Sequence, residues 1–248
     1  LVESPDGEYY RTKNAGIAHA TGEIIALADA DCSYSPDWLT AISETFQNDA
    51  DVSVGFTVLA GASLFRRLCG FYDLHSMLLR LGGKVRRFNS NNVAFRAELI
   101  RGTLYDERFE RTGGCVQLAE RLLRSGTRMR FNPRQRVVHR YYGFHRHTWI
   151  QAFCNGYDIF HTRAVDPTMP LARLVRLRYL ALPFLSGIFM AADGTNIIQN
   201  RKLLAMRWYE FPVFVFFSII VRMLELVGMY WALLHPKSIA RFVKKNFA

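Results

Sequence analysis

The sequence predicts an α/β protein, in which an open sheet flanked by helices is followed by a helical region that associates with a membrane. Three observations indicate this class. Residues Ile24 to Leu27 form a short β-branched apolar run, which is typical of a buried strand. The signals of an amphipathic helix follow directly after it. From about residue 179 the chain carries two long apolar runs instead.

Two carboxylates, Asp29 and Asp31, follow the predicted strand with one residue between them. Ligands of open α/β sheets bind at the carboxyl ends of the strands, so both side chains are expected at one binding edge. A pair of carboxylates suits a hard divalent cation, which prefers oxygen ligands. A loop that uses aspartate for turns and helix capping has the same pattern, so the pair alone leaves both interpretations open.

The helix after this pair has clear start signals. Ser35 is a favourable N-cap residue and Pro36 suits the first helical position. Its core-facing stripe is predicted at i, i+3 and i+7, which are Leu39, Ile42 and Phe46.

The other elements follow from periodicity and turn residues. Residues 1–13 are predicted as a loop, 14–21, 63–80 and 116–125 as helices, and 51–58, 88–95, 128–131 and 136–139 as strands. Glycine is expected to end three of these helices, at Gly22, Gly82-Gly83 and Gly126. His75 is predicted to pack on an apolar helix face. The basic loop that contains Lys84, Arg86 and Arg87 is predicted to meet phosphate or lipid.

Charge and cysteine content narrow the function class. The net charge of +11 and the pI near 9.8 imply anionic partners, which include nucleic acid, anionic lipid and sugar nucleotide. Helix-turn-helix, zinc-finger and RNA-binding signatures are absent from the sequence, so no nucleic-acid partner is expected. The four cysteines are scattered without a C-x-x-C pair, which argues against a zinc site or a disulfide scaffold and fits a reducing compartment.

The stretch from Lys13 to Leu39 resembles the middle of a family 2 glycosyltransferase. The motifs that carry the resemblance, in the family's order, are Lys13-Asn14, Gly16 to Ala18, Thr21 to Glu23, Asp29-Ala30-Asp31, Pro36 to Leu39, Asn91 to Arg96, Tyr105 to Glu107, Leu118 to Leu122 and Val138-His139. Together they cover roughly residues 8–140. The resemblance implies the GT-A fold, a Rossmann-like sheet that binds a nucleotide-diphosphate sugar.

The resemblance also implies roles for residues at the donor side. Lys13 and Asn14 would lie close to the nucleotide, although Lys13 is equally consistent with a solvated surface charge. Asp29 and Asp31 would hold Mg²⁺ or Mn²⁺ against the diphosphate, with Asp29 also binding substrate. His139 corresponds to a histidine that approaches the metal in some relatives, and a histidine bonded to nearby backbone is the alternative.

The acceptor side agrees less well with the family. Asn92 matches an asparagine behind the acceptor site, or it is a structural amide. The family begins its next helix with Glu-Asp, whose aspartate is the general base, but Gly114 and Cys115 stand there. The candidate bases are therefore Cys115, Asp106 and Glu107, and restoring the Glu-Asp pair is expected to raise activity.

The resemblance starts in the middle of the family, so residues 1–165 are expected to form a partial GT-A domain. Residues 166–248 are expected to form a helical membrane-associated region. Its apolar runs are Tyr179 to Ala192 and Phe211 to Leu234, the second interrupted by Arg222 and Glu225. Basic residues flank both runs, so interfacial helices with the catalytic domain on the cytoplasmic side are predicted. Two full crossings and a soluble helical subdomain are the alternatives.

These observations predict a membrane-associated, metal-dependent glycosyltransferase. It would move a sugar from a nucleotide-diphosphate sugar to a hydroxyl of a glycan or lipid acceptor. The alternative is a catalytically impaired GT-A-like protein that binds a ligand or acts as a scaffold, which the absence of the usual base favours.

Overall fold

The computed structural model describes residues 8–61, 63–72, 80–81, 84–109, 112–140, 144–238 and 241–242. Its strands are β1 (Ile24–Ala28), β2 (Cys32–Tyr34), β3 (Val52–Leu59), β4 (Arg80–Leu81), β5 (Lys84–Val85), β6 (Asn92–Arg96) and β7 (Met129–His139). Its helices are α1 (Tyr9–His19), α2 (Trp38–Gln47), α3 (Leu64–Gly70), α4 (Ala97–Gly102), α5 (Thr112–Arg124), α6 (Phe144–Val165), α7 (Ala172–Arg176), α8 (Ala181–Gln199) and α9 (Phe211–Leu234).

Five strands form a mixed sheet in the order β1-β6-β3-β7-β2. Strand β3 pairs antiparallel to β6 and parallel to β7, and β1 pairs antiparallel to β6. Consequently β1, β3 and β7 run in the same direction. Their last residues, Ala28, Leu59 and His139, therefore end at the same edge of the sheet.

Helices cover both faces of this sheet because each strand alternates its side chains. Ile25 and Leu27 of β1 join the core cluster that contains residues of α1 and α5, whereas Ile24 and Ala26 pack with α2 on the other face. The buried residues of α2 are Trp38, Ala41, Ile42, Thr45 and Phe46. The predicted α/β class with a sheet between helices is confirmed.

Two helix predictions need correction. Helix α1 begins at Tyr9, so the predicted loop is wrong from residue 9 onward, and residues 1–7 lie outside the described part. Helix α2 begins at Trp38 with Asp37 at the N-cap position, two residues later than predicted. Leu39 is therefore not in the core: it is 68% exposed, and Trp38 takes its place on the buried face.

The middle of the chain also differs from its prediction. The two strands predicted around Asn132-Pro133 are one strand, β7, whose pairing with β3 shifts register at Gly55. A Cβ at Gly55 would lie 2.3 Å from the carbonyl oxygen of Gln135, so the close approach requires glycine there. Within the predicted helix 63–80, α3 ends at Gly70 and the chain is a strand by Arg80. The predictions for His75 and Gly82-Gly83 lie outside the described residues.

Helix α5 starts at Thr112, four residues before the predicted position, and Gly126 with φ of 81° follows its end as predicted. Cys115 is consequently in the first turn of the helix.

Helices α6 and α9 pack at backbone contact distance. A Cβ at Gly228 would lie 2.0 Å from the carbonyl oxygen of Phe153, and one at Gly156 would lie 2.0 Å from that of Glu225. Only glycine allows this approach. The predicted boundary at residue 165 falls at the end of α6, and the division into two domains stays a prediction.

Two helical segments, Ala181–Gln199 and Trp208–Leu234, are long and apolar enough to cross a membrane by length and composition. Arg222 and Glu225, which interrupt the second, face inward. The guanidinium of Arg222 donates to both carboxylate oxygens of Asp193 at 2.6 and 2.7 Å and also to Glu225. Buried charges are thus paired inside the helical region rather than exposed on its surface.

Candidate functional site

The three-residue segment from Asp29 to Asp31 connects β1 to β2, which stand at opposite ends of the strand order. The segment therefore crosses the edge at which β1, β3 and β7 end. The backbone N–H of Arg140 donates to the carbonyl of Asp31 at 3.0 Å, which ties the crossing segment to the end of β7. The sequence prediction of carboxylates at the carboxyl edge of the sheet is confirmed for this segment.

Asp31 lies next to His139 at this edge. The distance from Oδ2 of Asp31 to Nε2 of His139 is 3.6 Å. Together with Cys32, their potential ligand atoms all lie within 4.8 Å of one another. Burial and the charge of Asp31 raise the pKa of the Cys32 thiol to about 12. Sulfur is a soft ligand, whereas the carboxylate of Asp31 and the imidazole of His139 fit a divalent cation such as Mg²⁺ or Mn²⁺.

Asp29 does not belong to this three-residue group, in contrast to the predicted metal role. Its carboxylate forms an ion pair with Lys13, whose ammonium also donates to the carbonyl of Ala28 at 3.2 Å. The phenol of Tyr9 donates to Asp29 at 3.2 Å and lies 2.6 Å from the hydroxyl of Ser90. Burial and the charge of Asp29 raise the pKa of Tyr9. Lys13 is thus not a free surface cation, because it is held at the site edge.

Tyr34 fixes the backbone of the crossing segment. Its hydroxyl accepts the N–H of Asp29 at 2.7 Å and can donate to the carbonyl of Asn91 at 3.3 Å. The ring packs against Trp38 with centroids 4.7 Å apart. The loop that carries both aspartates is therefore anchored to the sheet.

The predicted nucleotide contact Asn14 is 7% exposed and bonds to protein groups. Its amide exchanges hydrogen bonds with the backbone of Tyr105 at 2.9 and 3.0 Å and donates to Glu107 at 3.1 Å. Glu107 also pairs with Arg11 at 3.3 Å. Asp106 pairs with Arg108, whose guanidinium hydrogen bond holds the pKa of that carboxyl below its usual range.

The prediction of Cys115 as a base is wrong in this geometry. The side chain is 4% exposed, and the phenol of Tyr10 donates to its sulfur at 3.3 Å. Burial raises the pKa of the thiol, which makes a thiolate less available rather than more. The positive end of helix α5 would lower the pKa of the thiol, but burial has the larger, opposite effect.

Asn92 is completely buried, which contradicts its predicted contact with substrate. Its side-chain oxygen accepts the indole N–H of Trp38 at 2.9 Å and the amide of Gln135 at 3.0 Å. Its own amide donates to the carbonyl of Gln135 at 3.0 Å. The structural alternative therefore describes Asn92: it joins α2, β6 and β7.

Tyr9, Tyr34, Ser90 and Cys32 are site residues that the sequence motifs do not indicate. Tyr9 and Lys13 lie at i and i+4 on one face of α1, but the stretch 9–13 has little apolar periodicity from which this helix start could be predicted. Tyr34 comes to the site from β2 and Ser90 from the segment just before β6, through tertiary pairing that no local pattern marks.

A mixed sheet between helices, with carboxylates and an imidazole at its carboxyl edge, defines a GT-A-type fold. A mannosyltransferase from Pyrobaculum calidifontis, solved in complex with GDP-Man and Mn²⁺, superposes with a TM-score of 0.56 at 17% identity. The match covers 96% of this chain and 69% of that one. The fold likeness therefore extends over the helical region as well.

The sequence profile of glycosyl transferase family 2 matches residues 5–92 of this chain. A glucosyl-dolichyl phosphate glucuronosyltransferase of Haloferax volcanii is 26% identical over 219 residues. That similarity covers 79% of this chain and 66% of the relative, so the chain spans just under two thirds of its length.

Proposed function

We propose that this protein transfers a sugar from a nucleotide-diphosphate sugar to an acceptor hydroxyl at a membrane, with Mg²⁺ or Mn²⁺ bound at Asp31 and His139. The observation that carries the proposal is the 3.6 Å approach of these two side chains at the carboxyl edge of the sheet. The GDP-Man and Mn²⁺ in the mannosyltransferase structure support the donor and the metal. The dolichyl phosphate in the name of the Haloferax relative supports a lipid-linked acceptor.

The residues at this edge suit a departing diphosphate. A cation held by Asp31 and His139 supplies a Lewis acid that stabilises negative charge on the leaving group. The ammonium of Lys13 adds a fixed positive charge to the same edge, since Asp29 and the carbonyl of Ala28 hold it there. Tyr9 keeps Asp29 oriented toward Lys13. The arrangement is prepared for an anionic donor before the donor binds.

The acceptor hydroxyl needs a carboxylate base, and Glu107 is the candidate that the geometry favours. Its side chain is 42% exposed and is oriented by Asn14, whose amide stays fixed on Tyr105. Asp106 is a weaker base because Arg108 lowers its pKa. Cys115 is buried, and burial raises the pKa of its thiol.

A second candidate function, a binding or scaffold protein without transferase activity, is supported by one observation. Gly114 and Cys115 stand where the family has its acidic pair, and Tyr10 packs directly against both. A protein of this kind would bind the nucleotide sugar and release no nucleoside diphosphate.

The helical region supports membrane association. The cytoplasmic side is proposed for the catalytic domain because basic residues flank both apolar runs. Large apolar side chains are exposed along α8 and α9, among them Phe184, Ile188, Phe216, Met223 and Val227. Trp208 and Tyr209 are 61% and 69% exposed just before α9, as expected of interfacial anchors. The full chain should therefore sediment with membranes and require detergent for extraction, whereas release by high salt alone would contradict the proposal.

The decisive experiment measures Mn²⁺ binding and sugar transfer by the detergent-solubilised full chain. Calorimetry should detect Mn²⁺ binding that Asp31→Ala and His139→Ala each weaken at least tenfold. Asp37→Ala is the matched control, because Asp37 is exposed and pairs with Arg134 instead. Release of nucleoside diphosphate from a panel of nucleotide sugars then separates the two functions. Unchanged Mn²⁺ binding in both site variants would refute the metal site.

A further inference from the structure

A cavity of about 440 Å³ lies between helices α5, α6, α8 and α9 and the segment that follows β5. None of the residues assigned above to sugar transfer lines it. Its charged lining consists of Arg86, Arg87, Glu120, Arg163, Asp193 and Arg222. Four arginines thus converge on one cavity.

One of these arginines is neutralised within the protein. The guanidinium of Arg222 bonds to both oxygens of Asp193 and to Glu225. Two carboxylates are therefore committed to a single cation. Their charges also favour the charged forms of Arg87 and Arg163, but four guanidinium groups face only three carboxylates, Glu120, Asp193 and Glu225.

The other three arginines, Arg86, Arg87 and Arg163, form no comparable ion pairs in the described part of the chain. Arg163 is 4% exposed and donates only to backbone carbonyls, those of Pro170 and Ile159, both at 3.0 Å. Among the described residues, no carboxylate forms an ion pair with Arg86, Arg87 or Arg163. Glu120 is the lining carboxylate that remains, and it is 8% exposed.

The electrostatic consequence is an excess of positive charge around the buried guanidinium of Arg163. Burial, followed by the neighbouring charge of Arg87, lowers the pKa of Arg163 to about 9. Burial also lowers the pKa of Arg87. A buried cation is costly unless a counter-charge accompanies it, so an anion in this cavity would stabilise the protein.

Apolar side chains complete the wall. The ring of Phe189 lies under two guanidinium groups, with Arg163 at 5.2 Å and Arg222 at 5.5 Å from its centroid. Ile188 beside it is 44% exposed and continues outward to Phe184, which is 72% exposed. The cavity therefore borders the apolar surface that the proposed function places in the bilayer.

We infer that this cavity binds the phosphate or diphosphate group of an amphiphile, with Arg86, Arg87 and Arg163 contacting the phosphate and Ile188 and Phe189 contacting the apolar chain. Guanidinium groups bind phosphate oxygens with two parallel hydrogen bonds, and Arg87 is not engaged elsewhere in the described structure. The inference rests on the proposed function for its biological role, since it names the anionic amphiphile as the acceptor class.

The test uses the full chain in dodecyl maltoside micelles with EDTA and without nucleotide sugar. Calorimetric titration with dodecyl phosphate should show binding, which Arg87→Gln and Arg86→Gln each weaken about tenfold or more. Glu120→Gln should strengthen binding, because it removes the negative charge that competes with the ligand. Arg173→Gln is the control, since Arg173 is exposed on α7 and does not line the cavity.

Thermal unfolding of each variant separates lost binding from lost folding. If Arg87→Gln fails to fold, Arg87→Lys keeps the charge without the planar fork and should still bind several-fold more weakly. Dodecyl phosphate binding that is unchanged in the Arg87 and Arg86 variants overturns the inference. Equally tight binding of inorganic phosphate or pyrophosphate overturns the part that concerns the apolar chain.

No sugar can be transferred in the presence of EDTA and without a donor, so the dodecyl phosphate titration is independent of the transferase assay. Binding without any sugar transfer would uphold the anion cavity and refute the proposed function. Sugar transfer by a protein that does not bind dodecyl phosphate would uphold the proposed function and refute the anion cavity.

Discussion

The phenol of Tyr10 donates a hydrogen bond to the sulfur of Cys115 at 3.3 Å and accepts one from the same residue's backbone N–H at 3.0 Å. Gly114 lies directly beside this contact, and a Cβ there would be 2.3 Å from the Tyr10 ring. The ring thus fills the space into which a side chain at position 114 would project. Tyr10 and Gly114 are sterically matched to each other.

We expect Gly114→Ala to destabilise the protein by about 1–3 kcal/mol, because the new methyl group overpacks against the Tyr10 ring. Combined with Tyr10→Leu, the same substitution should cost much less, which a double-mutant cycle of thermal unfolding measures. Gly16→Ala is the control, since nothing lies within 4 Å of its added Cβ. Additive effects of the two substitutions would contradict the steric match.

The same packing corrects the expectation that Gly114→Glu with Cys115→Asp raises activity. The glutamate cannot enter the helix without displacing Tyr10, which also stacks on Tyr105 at 4.6 Å. We expect this double variant to lose stability and gain no activity.

Replacing Glu107 by glutamine should lower kcat by roughly 10² to 10⁴ if Glu107 is the acceptor base. Glu8→Gln provides the control, because Glu8 pairs with the same Arg11 at 3.5 Å. The rate of nucleoside diphosphate release with saturating donor and acceptor is the measurement. A wild-type rate in Glu107→Gln, with loss in Asp106→Asn, would assign the role to Asp106 instead.

Cys32 should react slowly with iodoacetamide, because its pKa is raised to about 12 and the thiolate is the nucleophile. At pH 8 the rate should be about a thousandfold below that of an unfolded thiol of ordinary pKa, and it should rise with pH up to about 12. Asp31→Asn should increase the rate, since the charge of Asp31 contributes to the shift.

Mass spectrometry of the labelled peptide distinguishes Cys32 from the three other cysteines, which are buried. Asp37→Asn should leave the rate unchanged. A wild-type rate in Asp31→Asn would remove Asp31 from the surroundings of this thiol.

Substituting Gly228 by alanine should separate α6 from α9, because the added Cβ meets the carbonyl of Phe153 at 2.0 Å. A backbone contact cannot relax by changing a rotamer, so the cost should be at the upper end of the 1–3 kcal/mol range, or about 3 kcal/mol. Gly187→Ala on α8, where nothing lies within 4 Å, should be tolerated. Unfolding in detergent, followed by circular dichroism, compares the two, and equal stability would contradict the close crossing.

The sequence allowed the sheet, the crossing segment and the long apolar helices to be predicted, because local patterns specify each of them. Ile24 to Leu27 is apolar enough to be buried on both faces, and Asp29 to Asp31 follows it immediately. The start of α1 was missed because Tyr9 and Lys13 contribute through their packing on Asp29, and the stretch 9–13 has little apolar periodicity of its own.

The different contacts of Asp29 and Asp31 could not be predicted from the sequence. Their spacing is symmetric in sequence, but Lys13 and Tyr9 approach only Asp29, and His139 approaches only Asp31. Arg87 and Arg163 are likewise 76 residues apart in the sequence, and only the tertiary fold brings both to one cavity.

The glycine crossing of α6 and α9 also has a mechanical consequence. An interface between side chains adjusts to small displacements when rotamers change. Two helices whose backbones are in contact cannot adjust in this way and move as one rigid body. Helix α6 begins at Phe144, five positions after His139 at the end of β7. Tilting α9 should therefore turn α6 with it, and the first residue of α6 is close in sequence to the imidazole at the end of β7.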